Sequence, residues 1–390
     1  MSRYLERDDQ VVTLSEKEKL GEYLQFRKEN DIWEQPYLNE IDVIGITNEE
    51  TLLDLQLENL GLEKTDPIVE CVKDNGIFLN LPVHGERATY PTRMIAFESL
   101  CKRAGIEGST IKQFRDNGKA MALPLLRKAE ILSEFLKLKK RKANVLIRDE
   151  KVSAVLSDSY AIIPEWEIIR ILEEELRKEH PNFEFESATI SHGFFIATYY
   201  LHDEITEGDF LLQLKNLHVD VDEVHCGITV ATSDTGDSQV FAYPFLMVDK
   251  KLIRIGKIGV KHYSKKEDED NKLDLFVEEL QKVSASFHDC EEQIERLGNL
   301  DIEDVPRTVT NIVSTMKTIS VNSPITKDKL ASLYLNVPMQ GTGMDVYLCL
   351  LDVAEAQKQA SNYSPKKFLE ITAEIAGFLF ADMLAYQNMD

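Results

Sequence analysis

Residues 145–156 run Val145-Leu146-Ile147-Arg148-Asp149-Glu150-Lys151-Val152-Ser153-Ala154-Val155-Leu156. Two apolar runs flank a polar turn at Asp149-Glu150-Lys151, which is the pattern of a β-hairpin. Downstream, Pro164 opens a segment with Trp166, Ile169, Leu172 and Leu176 at steps of three or four, so a helix is expected as far as His180-Pro181. Strand-like runs follow at 183–190, 193–201, 209–219, 224–232, 238–248 and 251–262, several joined by short polar turns such as Asp234-Thr235-Gly236-Asp237. Turns of that length join antiparallel neighbours, because a parallel crossover needs a dozen or more residues. The expected fold class is α+β, with a central, mainly antiparallel sheet, packed helices, and helical N-terminal and C-terminal segments.

Outward from this centre, the expected organisation is a helical N-terminal segment (1–63), an α+β central domain (64–264) and a mostly helical C-terminal region (265–390). His84-Gly85-Glu86-Arg87 reads as a loop before a helix opened by Pro91. A further helix spans roughly 120–140, with Leu125, Ile131, Leu132, Phe135 and Leu138 on one side. Ser323-Pro324 and Ser364-Pro365 are N-cap plus first-turn pairs. The stripe Phe368, Ile371, Ile375 and Phe378 is expected to be core or a contact between copies of the chain.

The chain has 390 residues and a formal charge of −23, which repels nucleic acid and anionic membranes unless basic residues cluster locally. Its five cysteines are scattered without a CxxC pair, as expected of reduced thiols. The first nine residues are too charged for a signal peptide, and no apolar run approaches bilayer length. A cytoplasmic protein with no membrane partner is expected.

The stretch Asn144 to Tyr160 resembles the hallmark of a phage- and plasmid-associated family catalogued as domain of unknown function 932, whose members show a "vLvR…vrAvLSdrY" pattern there. Lys102-Arg103-Ala104-Gly105-Ile106, Gly227 to Gly236, and Met344-Asp345-Val346-Tyr347 paired with Ala376-Gly377-Phe378-Leu379 are similar to the family too, so the likeness covers most of 80–380. Where many members carry a "vCtNG" element, this chain has Pro244-Phe245-Leu246-Met247. The resemblance implies a mobile-element setting and no particular chemistry.

Between 127 and 148 lie eight Lys and Arg against two Glu, a local excess of six positive charges within an acidic chain. Arg127, Lys137, Lys139, Lys140, Arg141, Lys142 and Arg148 are the candidates for phosphate neutralisation, and Tyr160 for base stacking. The competing reading is a solvated helix C-terminus whose cations oppose the helix dipole. His218, Asp220 and Asp222 would share one face of a strand and could hold a hard cation, but Val219 and Val221 facing a core explain the same alternation, so no metal is expected. Ser157-Asp158-Ser159 fits a strand-ending turn better than a nucleophile. No phosphate-binding Gly-rich loop occurs, so no cofactor is expected.

These observations lead to a non-enzymatic mobile-element accessory protein that binds single-stranded DNA in recombination or replication. The alternatives are an acidic factor acting on a host or phage protein through Glu267 to Asp270 and Asp301 to Asp304, and a metal-dependent nuclease using Asp220 and Asp222.

Overall fold

β6 (Ala143–Arg148) and β7 (Lys151–Ser157) form the expected hairpin, paired antiparallel from Ala143–Ser157 to Arg148–Lys151. The turn is therefore Asp149-Glu150 alone. Both residues adopt left-handed backbone, with φ of 52° and 60°. That conformation matches a two-residue turn to the strand twist, but side-chain-bearing residues enter it at a cost. The computed structural model describes residues 5, 10–45, 57–58, 77–107, 110, 125–236, 238–260 and 269–389.

β2 (Ile32–Glu34) pairs with the free edge of β6 to complete a three-stranded sheet. Val145, Ile147, Val152 and Val155 enter one apolar cluster while Leu146, Ala154 and Leu156 enter another with Tyr160. Both faces are covered, which is why these strands are continuously apolar rather than alternating. A second three-stranded sheet contains β3 (Asp42–Gly45), β4 (Ile77–Val83) and β5 (Glu86–Pro91). His84-Gly85 is its hairpin turn, with φ of 50° and 87°. The loop expected there is instead a strand connection, and Pro91 ends a strand rather than opening a helix.

α2 (Met94–Ala104) packs on β7, and α3 (Leu125–Lys137) packs on β3. Ala129, Leu132 and Leu136 of α3 are buried, whereas Phe135 and Leu138 are 43% and 76% exposed. The apolar face expected through Phe135 and Leu138 is thus corrected. The segment holds two overlapping stripes, and packing against β3 selects the one at 129, 132 and 136.

The larger sheet has the order β1 (Val12–Leu14), β8 (Glu184–Ile190), β9 (Phe195–Tyr200), β10 (Val224–Thr232), β11 (Val240–Val248), β12 (Lys251–Arg254), with β13 (Ile258–Val260) also on β11. Every one of its ladders is antiparallel. α1 (Lys17–Asn30) lies against α4 (Glu165–Glu179) and β8. The chain is an α+β protein with a mainly antiparallel central sheet.

One expected strand is a helix. Residues 209–219 fall largely in α5 (Glu204–Asn216), where Asp203 accepts a hydrogen bond from the Thr206 amide at 3.2 Å and Phe210 and Leu214, four apart, are buried. A short apolar run fits either period, and the Asp203 cap decides it.

α6 (Glu269–Leu280), α7 (Val283–Gly298), α8 (Val305–Thr315), α9 (Pro324–Asn336), α10 (Gly343–Ala356), α11 (Pro365–Ala376) and α12 (Met383–Gln387) complete the chain. The hydroxyls of Ser323 and Ser364 accept from the amides of Thr326 and Lys367 at 3.2 and 3.1 Å, capping α9 and α11 as expected. Ile371, Ile375 and Phe378 are buried in one core with the large sheet.

Two main cores result, one drawn from residues 38–155 and one from both ends of the chain. Strand pairing is the reason: β1 joins the large sheet, while β2 and β3 join the two small ones. Among the described residues no helix is long and apolar enough to cross a membrane.

Candidate functional site

The basic run follows the end of α3. Its backbone is fastened to residues 36–38: the Leu38 amide donates to the Arg141 carbonyl at 2.8 Å, and the Ala143 amide to the Pro36 carbonyl at 3.0 Å. Lys137, Lys140, Arg141 and Lys142 are exposed and Lys139 is half-buried. Among the described residues none of these five forms an ion pair. The Lys142 ammonium lies 5.4 Å from the centre of the Tyr37 ring, which is 45% exposed. Phe135, one turn back on α3, presents a second exposed ring. Cations and exposed rings together suit a strand whose phosphates are neutralised while its bases stack.

Two of the expected members of this surface are buried, and a third is already paired. Arg127 is exposed but donates to Glu130 at 2.7 Å. Arg148 is only 1% exposed and Tyr160 only 3%, so neither can meet a polymer at the surface. The Tyr160 hydroxyl donates to the Ser233 carbonyl at 2.9 Å, and its own carbonyl accepts from Asn144 at 2.9 Å. Arg148 stands at the end of β6, where the small sheet abuts α1 and the β10–β11 turn. Tyr37 and Phe135 were not anticipated. Tyr37 meets Lys142, 105 positions along the chain, through an isolated antiparallel bridge that no local pattern announces.

Arg148 belongs to a buried charge cluster between the two cores. It donates to Asp31 from Nε at 2.9 Å and to Asp234 from Nη2 at 2.7 Å, and lies 3.6 Å from Glu165. Tyr23 donates to the other Glu165 oxygen at 2.9 Å. Arg27 donates to Asp149 at 2.9 Å, and Arg93 lies 3.7 Å from the same carboxylate while donating to Ser153 at 3.1 Å. Lys151 is buried beside them. α1 supplies Tyr23, Arg27 and Asp31; the β6–β7 hairpin supplies Arg148, Asp149 and Lys151; α4 supplies Glu165; the β10–β11 turn supplies Asp234.

Charges so deep persist only when paired and hydrogen-bonded. Burial opposes the Arg148 charge, yet Asp31, Glu165 and Asp234 hold its pKa well above the usual guanidinium value. Burial and then Glu165 raise Asp234 to about 7, against the opposing pull of Arg148. The cluster is polarised. Carboxylates crowd around Asp234, whereas guanidinium groups gather toward Arg93.

The other sequence candidates resolve simply. His218 to Glu223 form a loop after α5, with His218 at φ 59°, so the strand face expected to align His218, Asp220 and Asp222 does not exist. Asp249 accepts there from the amides of Asp222 and Glu223, both at 3.0 Å. Among the described residues no group of three or more His, Cys, Asp or Glu is placed to hold a metal ion. Ser157 and Ser159 share a hydroxyl hydrogen bond of 2.9 Å in the turn after β7. Asp301 sits in a two-residue ladder opposite Thr342, and Asp304 caps α8 by accepting from the Arg307 amide at 2.9 Å. Glu267 and Asp268 lie outside the described residues. Compared with models of protein families, with curated proteins and with solved structures, the chain matches none.

Proposed function

We propose that the chain is a non-enzymatic accessory protein of a mobile element that holds single-stranded DNA on the surface formed by Lys137, Lys139, Lys140, Arg141 and Lys142, with Tyr37 and Phe135 as stacking rings. The supporting observation is five near-contiguous cations without a carboxylate partner among the described residues, in a chain of net charge −23. Phosphates release condensed counterions as these groups bind, so affinity comes from salt-dependent neutralisation. The acidic remainder of the surface discourages indiscriminate coating.

With five phosphate contacts, the slope of log affinity against log salt for a single strand is about −3.5. Fluorescence anisotropy with a labelled oligonucleotide measures it. The joint variant Lys139→Gln, Lys140→Gln, Arg141→Gln flattens the slope to roughly −1.4, the value for the two remaining contacts. No binding at low salt, or an unchanged slope in the variant, overturns the reading.

A further inference from the structure

A cavity of about 390 Å3 opens where the β8–β9 turn meets the start of α2, lined by Arg93, Met94, Ile95, His192, Gly193 and Phe194 among others. The turn is held tight by Ser191, whose hydroxyl accepts from the amides of Gly193 and Phe194 at 3.2 and 3.0 Å. Gly193 leaves room for Ile95, since a Cβ there would stand 2.9 Å from the Ile95 methyl. His192 is thereby fixed in the cavity wall.

Three observations converge on this space. His192 is 3% exposed, and among the described residues neither ring nitrogen has a hydrogen-bond partner. A buried polar group left so is disfavoured by about 1–3 kcal/mol unless something fills the space and bonds to it. Second, α2 begins here with Arg93 as its N-cap and, among the described residues, no side chain caps it, so its first amides and positive dipole end face the same region. Third, the cationic end of the buried cluster lies beneath. Burial, then Arg93, Arg148, Arg27 and Lys151, depress the His192 pKa far below the ordinary imidazole value. The ring is neutral and offers one N–H donor within a positive field. Met94, Ile95 and Phe194 make the remaining wall apolar, and Glu98, half-buried at the same wall, disfavours a highly charged guest.

We infer that this cavity is a binding site for a small organic oxyanion: a carboxylate or phosphate head set against His192, Arg93 and the α2 N-terminus, carried on a compact apolar body that packs on Met94, Ile95 and Phe194. The site is independent of the Lys137–Lys142 surface.

The test is calorimetric titration of the intact chain with benzoate, phenyl phosphate, inorganic phosphate and the neutral control benzyl alcohol, to about 10 mM, tenfold above a millimolar dissociation constant. Benzoate or phenyl phosphate binds more tightly than inorganic phosphate, and benzyl alcohol does not bind; the stronger of the first two identifies the head group. His192→Leu, which removes the unsatisfied nitrogens, keeps the thermal midpoint at or above the parent value and weakens binding about tenfold or more, the scale of a lost hydrogen bond to a charged group. Met94→Trp fills the space from a half-buried position and abolishes binding without touching His192. Absence of binding by both organic anions, equal binding of benzyl alcohol, or binding indifferent to both substitutions overturns the inference.

Discussion

Asp149 carries two opposed demands. Its backbone is left-handed at φ 52°, and its buried carboxylate faces Arg27 at 2.9 Å and Arg93 at 3.7 Å. Aspartate tolerates that backbone better than most residues, and the ion pairs hold the strained turn in place. Asparagine keeps the backbone tolerance and removes only the charge. Asp149→Asn should therefore cost about 3–5 kcal/mol, the penalty for leaving buried guanidinium groups uncompensated. Urea unfolding measures this, and a loss below about 1 kcal/mol, the scale of a surface pair, would contradict it.

Asp234 should behave differently, because Arg148 retains Asp31 and Glu165 when it is neutralised. Its carboxyl is raised from an ordinary 3.8 to about 7, so the folded chain keeps a proton that the unfolded chain loses. Stability attributable to this group is complete below the unfolded pKa and declines as pH rises toward about 7. Asp234→Asn removes that decline. Unfolding free energies of parent and variant at several pH values should diverge in the variant's favour between about pH 4 and 7. Arg148 itself shows the limit of the sequence at this scale. Its place in a basic run suggested a surface cation, and nothing local reveals three carboxylates contributed from positions 31, 165 and 234.

At the scale of elements, α3 separates packing from binding. Leu132 is fully buried while Phe135, on the same helix, is exposed. Leu132→Ala should cost about 2–5 kcal/mol by opening a cavity. Phe135→Ala should change stability by less than about 0.5 kcal/mol, as surface substitutions do, yet weaken oligonucleotide binding if its ring stacks on a base. Paired unfolding and anisotropy measurements distinguish the two, and a large stability loss at Phe135 would show that its ring is packed. The caps of α9 and α11 were legible because Ser-Pro states both a side-chain acceptor and a helical φ locally. α5 was not, since Phe210 to Leu214 fits either period and the deciding cap lies seven residues upstream. The choice of buried stripe in α3 was also hidden, because it is made by β3, more than eighty residues away.

At the scale of the whole molecule, the buried cluster joins two cores whose chain segments cross repeatedly. β1 and α1 serve the large core, β2 and β3 the small one, and the charges between them come from both. Separate cores joined by a weak interface unfold separately, whereas a shared buried network couples them. The chain's two tryptophans report on the two sides: Trp33 on β2 packs with the small-sheet cluster around Leu146, and Trp166 on α4 packs against the large core. Trp33→Phe and Trp166→Phe each leave one reporter. In the parent background their urea midpoints should coincide. Arg148→Met keeps bulk and apolar packing but strands Asp31, Glu165 and Asp234 without their central cation, a penalty of about 3–5 kcal/mol concentrated at the junction. The two midpoints should then separate, with the Trp33 signal moving first because the smaller core buries less apolar surface. Separate midpoints already in the parent would mean that the charges only fill the junction. Coincident midpoints in Arg148→Met would mean that the coupling lies in the crossing strands instead.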